Sequence, residues 1–222
     1  MPKRIRAGAL TVLAITGVTL GAALSVQADA RPAPAAATKT AAMKATATKA
    51  AASPRFLAAA ELPPHPTSSW TAGKVTDGVP DELRLCLEEA LLAYDSRYRA
   101  FHTDLDTSAR QLTVVVGSTV KAKALATRLN KEIRSCATRI EKADPETEAE
   151  YKGYGTLPVE EGARVHGLHT HTSWGASDIR LLSVGRDGRT VTVVEWAQLG
   201  DFGDAPVKAF KKTTTTAVNK LY

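Results

Sequence analysis

The chain has only two cysteines and 5% aromatic residues among its 222 positions. Cys86 and Cys136 form no CxxC pair, which argues against thiol redox catalysis. There is no HExxH, GxSxG, P-loop or dinucleotide-binding glycine pattern. Metalloprotease, α/β-hydrolase, nucleotide-hydrolysing and nicotinamide-dependent readings therefore have no motif to stand on, and no cofactor is expected. Nor is there an internal repeat. The region from residue 56 onward also lacks an excess of charge. The whole chain is +6, but Lys3, Arg4 and Arg6 stand in the head, and residues 29–55 hold five bases against one acid. That leaves 21 bases and 22 acids beyond residue 55, a balance of −1, so no basic face is offered to a nucleic acid.

What is present begins with an export pattern. The basic head MPKRIRAG leads into the uncharged run ALTVLAITGVTLGAALSV, which closes on VQADA. A short basic segment, an apolar run a little short for spanning a bilayer and small residues at the exit read as a secretory signal peptide over residues 1–28. Residues 29–55 are alanine, threonine, proline and spaced lysines, with no apolar side chain larger than Met43. Such a stretch cannot bury enough surface to offset the entropy of ordering, and it reads as a flexible tether. Its bases suit peripheral contact with an anionic wall polymer or membrane surface.

Residues 56–222 suit one domain with its own core. Ser53-Pro54 can open a short helix through RFLAAAEL, ended by Pro63 and Pro64. HPTSSWTAGKVTDGV reads as a loop holding Trp70. DELRLCLEEALLAY repeats apolar residues at helical spacing through Leu83, Cys86, Leu87, Ala90, Leu91 and Tyr94. RYRAFHTD and RQLTVVVGS read as strands, the second made buried by Val114, Val115 and Val116. Ser118 caps one long helix whose stripe runs Ala122, Leu125, Ala126, Leu129, Ile133, Cys136 and Ile140. ADPETEAEYKGYGTLPVEEG reads as a loop. ARVHGLHTHTSW, DIRLLSV and TVTVVEWAQ are three strands, the last two joined by the tight turn GRDGR. Asp204 is placed to cap a terminal helix with Pro206 in its first turn. The sum is an α+β fold, a mostly antiparallel sheet flanked by helices. In an exported chain, Cys86 and Cys136, each on a predicted helix, read as one disulfide joining the two helices.

The order resembles a known group. A leader and Ala/Thr/Pro tether precede FLAAAELP, a loop tryptophan, a cysteine-bearing helix and an RxF strand. The valine strand, a helix ending in its own cysteine and a late valine-rich hairpin follow. This resembles actinobacterial exported sensor-domain proteins, similar to the extracellular domain of mycobacterial PknH-type serine/threonine kinases. The resemblance implies a helix-flanked antiparallel sheet with a groove for an extracellular ligand, no enzymatic activity and a location outside the cytoplasmic membrane. Those ectodomains carry two disulfides, whereas this chain has cysteines for one, and no kinase domain is expected within its 222 residues.

Three residue sets remain as candidates. HGLHTHTSW holds His166, His169 and His171, three of the five histidines. Alternation along a strand puts His169 and His171 on one face and His166 on the other, so the pair could ligate a metal if His102 or Asp178 supplied a third group. The competing reading is a polar, solvated strand surface. Catalysis has less to draw on: Ser118, Ser173 and Ser183 lack a nucleophile context, Glu160-Glu161 are adjacent loop residues, and Asp178 with Glu195 is the one carboxyl pair that could flank a sheet. The aromatic set, Trp70, Tyr151, Tyr154 and Trp174, could line a ligand groove, with Trp196 in the core. The function expected is a non-enzymatic extracellular ligand-binding domain for a small molecule or wall polymer. The alternatives are an envelope structural or protein-interaction domain, or a metal-dependent enzyme using His169 and His171.

Overall fold

A computed structural model describes residues 53–222, apart from the side chain of Glu88. The expected signal peptide at 1–28 and nearly all of the tether at 29–55 lie outside the described residues. Seven strands form one antiparallel sheet in the order β1-β2-β3-β7-β6-β5-β4. In chain order they are β1 (Thr71–Asp77), β2 (Ser96–His102), β3 (Ser108–Val115), β4 (Thr147–Leu157), β5 (Ala163–Thr172), β6 (Ser177–Asp187) and β7 (Thr190–Leu199). The helices are α1 (Asp81–Leu91), α2 (Thr119–Arg134), α3 (Cys136–Ala143) and α4 (Val207–Asn219).

Helices cover both faces of the sheet, and this explains its apolar runs. Leu112, Leu168, Leu182, Val184, Val191 and Val193 meet α1, α2 and α3 on one face. Phe101, Val165, Ile179, Leu181, Val194 and Trp196 meet Phe210 and Ala217 of α4 on the other, together with Leu57 from the N-terminal segment. Neighbours such as Leu181-Leu182 and Val193-Val194 are thus all buried, because successive side chains point to opposite, equally covered faces. One charge sits among them. Glu195 on β7 is 1% exposed and takes Arg110 Nη1 from β3 at 3.1 Å and Arg180 Nη1 from β6 at 3.0 Å. Arg110 reaches on to Glu82 of α1. Glu195 is therefore a partner to two guanidinium groups inside the core, which is incompatible with the carboxyl-pair role considered from sequence.

The disulfide joins Cys86 of α1 to Cys136, the first residue of α3, with Cα atoms 5.3 Å apart. Arg139 Nη2 donates to Cys86 O at 2.9 Å beside it. The expected single long helix is broken at Ser135. Its hydroxyl bonds back to Lys131 O and Glu132 O, competing with the helical ladder, and the chain restarts as α3. Ser118 caps α2 by accepting from Lys121 N. The β6–β7 turn has Gly188 at its first central position with φ +53, where a glycine is suited.

Five further local expectations are corrected. RFLAAAEL makes only a short 3₁₀ turn at Ala59–Glu61, because tertiary bonds hold what precedes it extended: Leu57 N donates to the buried Gln111 Oε1 at 2.6 Å, and Arg99 Nη1 donates to Leu57 O at 3.0 Å. The stretch after Trp70 is strand β1, and TEAEYKGYGTL is strand β4. Both are edge strands, paired on one side only, so they carry glycines and charges as a loop would. Asp204 does not cap α4: its Oδ2 accepts from Asp201 N at 2.9 Å, and Pro206 holds the cap position. Val115 is 45% exposed, since only Val114 and Val116 of the triplet turn into the core.

Candidate functional site

A cleft of about 680 Å³ opens at the end of the sheet where β1 leaves, β2 begins and β3 ends. Its origin can be read from the backbone. β1 ends at Asp77, and Gly78, at φ +104, turns the chain while its amide donates to Ser96 O at 2.8 Å. Val79 and Pro80 then lead into α1, which runs back to Leu91. After Leu91 the chain turns through Tyr94, whose amide donates to Leu91 O at 3.0 Å, and enters β2 at Ser96. This brings Val79, Leu91, Leu92 and Tyr94 beside Ser96 and Arg97 of β2 and Thr113 and Val115 of β3. Pro54 and Phe56 of the N-terminal segment supply the remaining wall.

The chemistry of these walls is uneven in a useful way. The apolar part includes Phe56, Val79, Leu91, Tyr94 and Val115, with Leu92 as much as 72% exposed. Two arginines, Arg84 and Arg97, and two aspartates, Asp77 and Asp95, stand around it, so the lining carries no net charge. Arg97 Nε lies 3.4 Å from Asp77 Oδ1 and Arg84 Nε 3.1 Å from Asp81 Oδ1, each an exposed pair. Among the lining residues Ser96 is only 6% exposed, and its buried Oγ has no hydrogen-bond partner among the described residues, a state shared only by Thr107 Oγ1 at the other end of the sheet. Burying a hydroxyl without a partner is costly, and such groups are uncommon in native structures.

The aromatic candidates do not meet there or anywhere else. Trp70 stands just before β1, at one sheet edge, with Nε1 donating to Pro63 O at 2.7 Å. Tyr151 and Tyr154 lie on β4, the opposite edge, and in a strand rather than a loop. They also turn to different faces: Tyr151 packs against the core under α1–α3, Tyr154 against the core under α4. Trp174, 66% exposed, is on the β5–β6 turn. Lys152 Nζ sits 5.8 Å above the Tyr154 ring and 5.1 Å above that of Phe202.

The histidines separate as alternation requires. His169 is half-buried, with Nε2 2.9 Å from Ser177 Oγ and its ring against Phe202, and His171 is exposed. Neither suggested third ligand reaches them. Asp178 pairs with Thr170 in register and so faces the other side, and His102 is on β2, beyond β6, β7 and β3. No cluster of three or more His, Cys, Asp or Glu side chains suited to one metal ion occurs among the described residues.

His166, which sequence alone only set apart, is fully buried. Its Nδ1 is 2.9 Å from Tyr151 Oη and its Nε2 is 2.7 Å from Asn130 Oδ1. Because the amide oxygen can only accept, Nε2 carries the proton and Nδ1 accepts from the tyrosine hydroxyl. Burial, then the charges of Arg164 and Arg134, pull its pKa down to about 4. The neutral ring is thus a bridge between α2 and the edge strand β4, with no open position for a substrate in its hydrogen bonding. The signal missed in the sequence was Ser96, an ordinary serine at the start of a strand, with nothing in its neighbours to mark it.

No protein-family model and no curated protein sequence matches the chain. Among solved structures, the chain is similar to the extracellular domain of PknH from Mycobacterium tuberculosis, at 14% identity and a TM-score of 0.45, over 69% of this chain and 86% of that one. It is also similar to an uncharacterised protein from Mycobacterium smegmatis, at 10% identity and a TM-score of 0.37, over 71% of this chain and 90% of that one.

Proposed function

We propose that residues 53–222 are the non-enzymatic ligand-binding domain of an exported protein, and that its site is the cleft between α1, the start of β2 and the N-terminal segment. The observation that carries this reading is a cleft of about 680 Å³ with largely apolar walls, beside which Ser96, one of its lining residues, keeps a buried hydroxyl without a partner. Pockets that bind small molecules combine apolar walls with a few placed polar groups. The ligand is a compact neutral amphiphile. Its apolar body would lie against Val79, Leu91, Leu92 and Val115, and one hydrogen-bonding group would meet Ser96. The two arginines and two aspartates cancel, so the cleft selects no sign of charge.

The basic leader, the apolar run and the disulfide support a place outside the cytoplasmic membrane. There the lysines and arginines of residues 29–55 would hold the domain near an anionic polymer or membrane surface. The alternative, an envelope interaction domain, draws on a different observation: Leu105, Leu199 and Trp174 are all exposed at the end of the sheet away from the cleft.

Calorimetric titration of the oxidised exported chain with decanol, decanoate and decyltrimethylammonium tests the reading. Decanol is expected to bind one to one, at least as tightly as either ion, and Leu92→Glu is expected to weaken it about tenfold by placing a charge on the apolar wall. Failure of decanol to bind, or binding unaffected by Leu92→Glu, would overturn the proposal.

A further inference from the structure

We infer that residues 53–58 form a strap whose docking is coupled to occupancy of the cleft, so that ligand binding is felt where the tether joins the domain. The inference rests on the cleft being the binding site.

The strap is held at discrete points. Arg55 N donates to Lys220 O at 3.0 Å, the first backbone hydrogen bond of the described residues. Leu57 is fully buried, its amide taken by Gln111 Oε1 and its carbonyl by Arg99 Nη1. Ala58 N donates to Glu61 Oε2 at 2.6 Å, and that carboxylate also takes Lys220 Nζ. Pro54 and Phe56 alternate with these anchors and border the cleft, where Phe56 remains half-buried. The segment is therefore both a docked strand of core and a wall of the pocket.

A wall shared in this way links two equilibria. When the strap detaches, the cleft loses Phe56 and Pro54, and any ligand lying against them loses that contact. A ligand in the cleft covers the half-buried face of Phe56 and favours the docked strap. By thermodynamic reciprocity, the factor by which ligand stabilises docking equals the factor by which docking tightens the ligand. Gln111 sets the strength of the docking from inside the sheet, since its Nε2 is fixed by Thr192 Oγ1 at 3.3 Å and its oxygen is aimed at Leu57 N.

Arg55 is exposed and the following residue is Phe56, so trypsin reads strap detachment at that bond. Cleavage there needs local opening, and its rate follows the open population when closing is fast. With saturating decanol, cleavage at Arg55 is expected to slow about tenfold, while cleavage at Arg189, on the exposed turn after β6, stays unchanged. Phe56→Ala is expected to weaken decanol binding and reduce the protection together, with Arg189 again unaffected. Decanol that binds normally but leaves Arg55 cleavage unchanged overturns the strap while the binding site stands. Absence of decanol binding overturns both.

Discussion

His166 gives a prediction whose size follows from the structure. Its ring is fully buried, both nitrogens are engaged as in a neutral imidazole, and its pKa falls from an ordinary 6.5 to about 4. A lowered histidine pKa means that the unfolded chain binds a proton more readily than the folded one. The contribution is therefore complete above pH 6.5, declines as pH falls toward 4, and is lost below it. Relative to neutral pH, the loss amounts to about 1 kcal/mol at pH 5.5 and about 3 kcal/mol at pH 4. Glu61 and Glu82, both lowered in pKa, also lose stability in acid, so the wild-type curve alone does not isolate the histidine. Urea unfolding of the wild type and His166→Gln at neutral pH, pH 5.5 and pH 4 does isolate it. The variant is less stable at neutral pH, and its stability falls by about 3 kcal/mol less on acidification. Parallel curves for the two proteins would show that the buried ring is not the source of the acid loss, as would an imidazole resonance of His166 titrating near 6.5 by nuclear magnetic resonance.

Three further outcomes follow from packing and charge. Glu195→Leu leaves Arg110 and Arg180 facing each other without their shared carboxylate, and guanidinium denaturation should show a loss of about 3 kcal/mol or more. Gly185→Ala would place a Cβ 2.3 Å from Val218 Cγ2 and 3.0 Å from Ala163 Cβ, so it should loosen α4 and lower stability by about 1–3 kcal/mol in the same assay. Reduction of Cys86–Cys136, which closes a loop with a sequence separation of 50, should lower the unfolding free energy by about 4 kcal/mol on the chain-entropy model, measured with and without reductant.

The elements most legible in the sequence are those whose side chains see a strong asymmetry of environment. α1 and α2 each bury one stripe, and the cysteines lie on buried positions that meet. β6 and β7 show as apolar runs because both their faces are covered. β1 and β4 escaped because an edge strand needs neither face to be continuously apolar: TAGKVTD and TEAEYKGYGTL alternate weakly and hold glycine and charge. The extended course of residues 53–58 depends on Gln111 and Arg99, far away in sequence, and local propensity for helix in FLAAAEL was overridden by those bonds. Long-range effects hid the site as well. The cleft takes residues from five separate stretches, and a serine becomes informative only when burial deprives its hydroxyl of a partner.

The most direct test of the cleft is Ser96→Ala, measured for stability without ligand and for decanol affinity. A buried, unpaired hydroxyl costs stability in the empty protein and gains a partner from the ligand. The ligand-free variant is expected to be at least as stable as the parent, by up to about 1 kcal/mol, while decanol binding weakens about five- to tenfold. A variant that is less stable without ligand, and binds decanol with unchanged affinity, would show that the hydroxyl serves the fold and would contradict the assignment of the cleft.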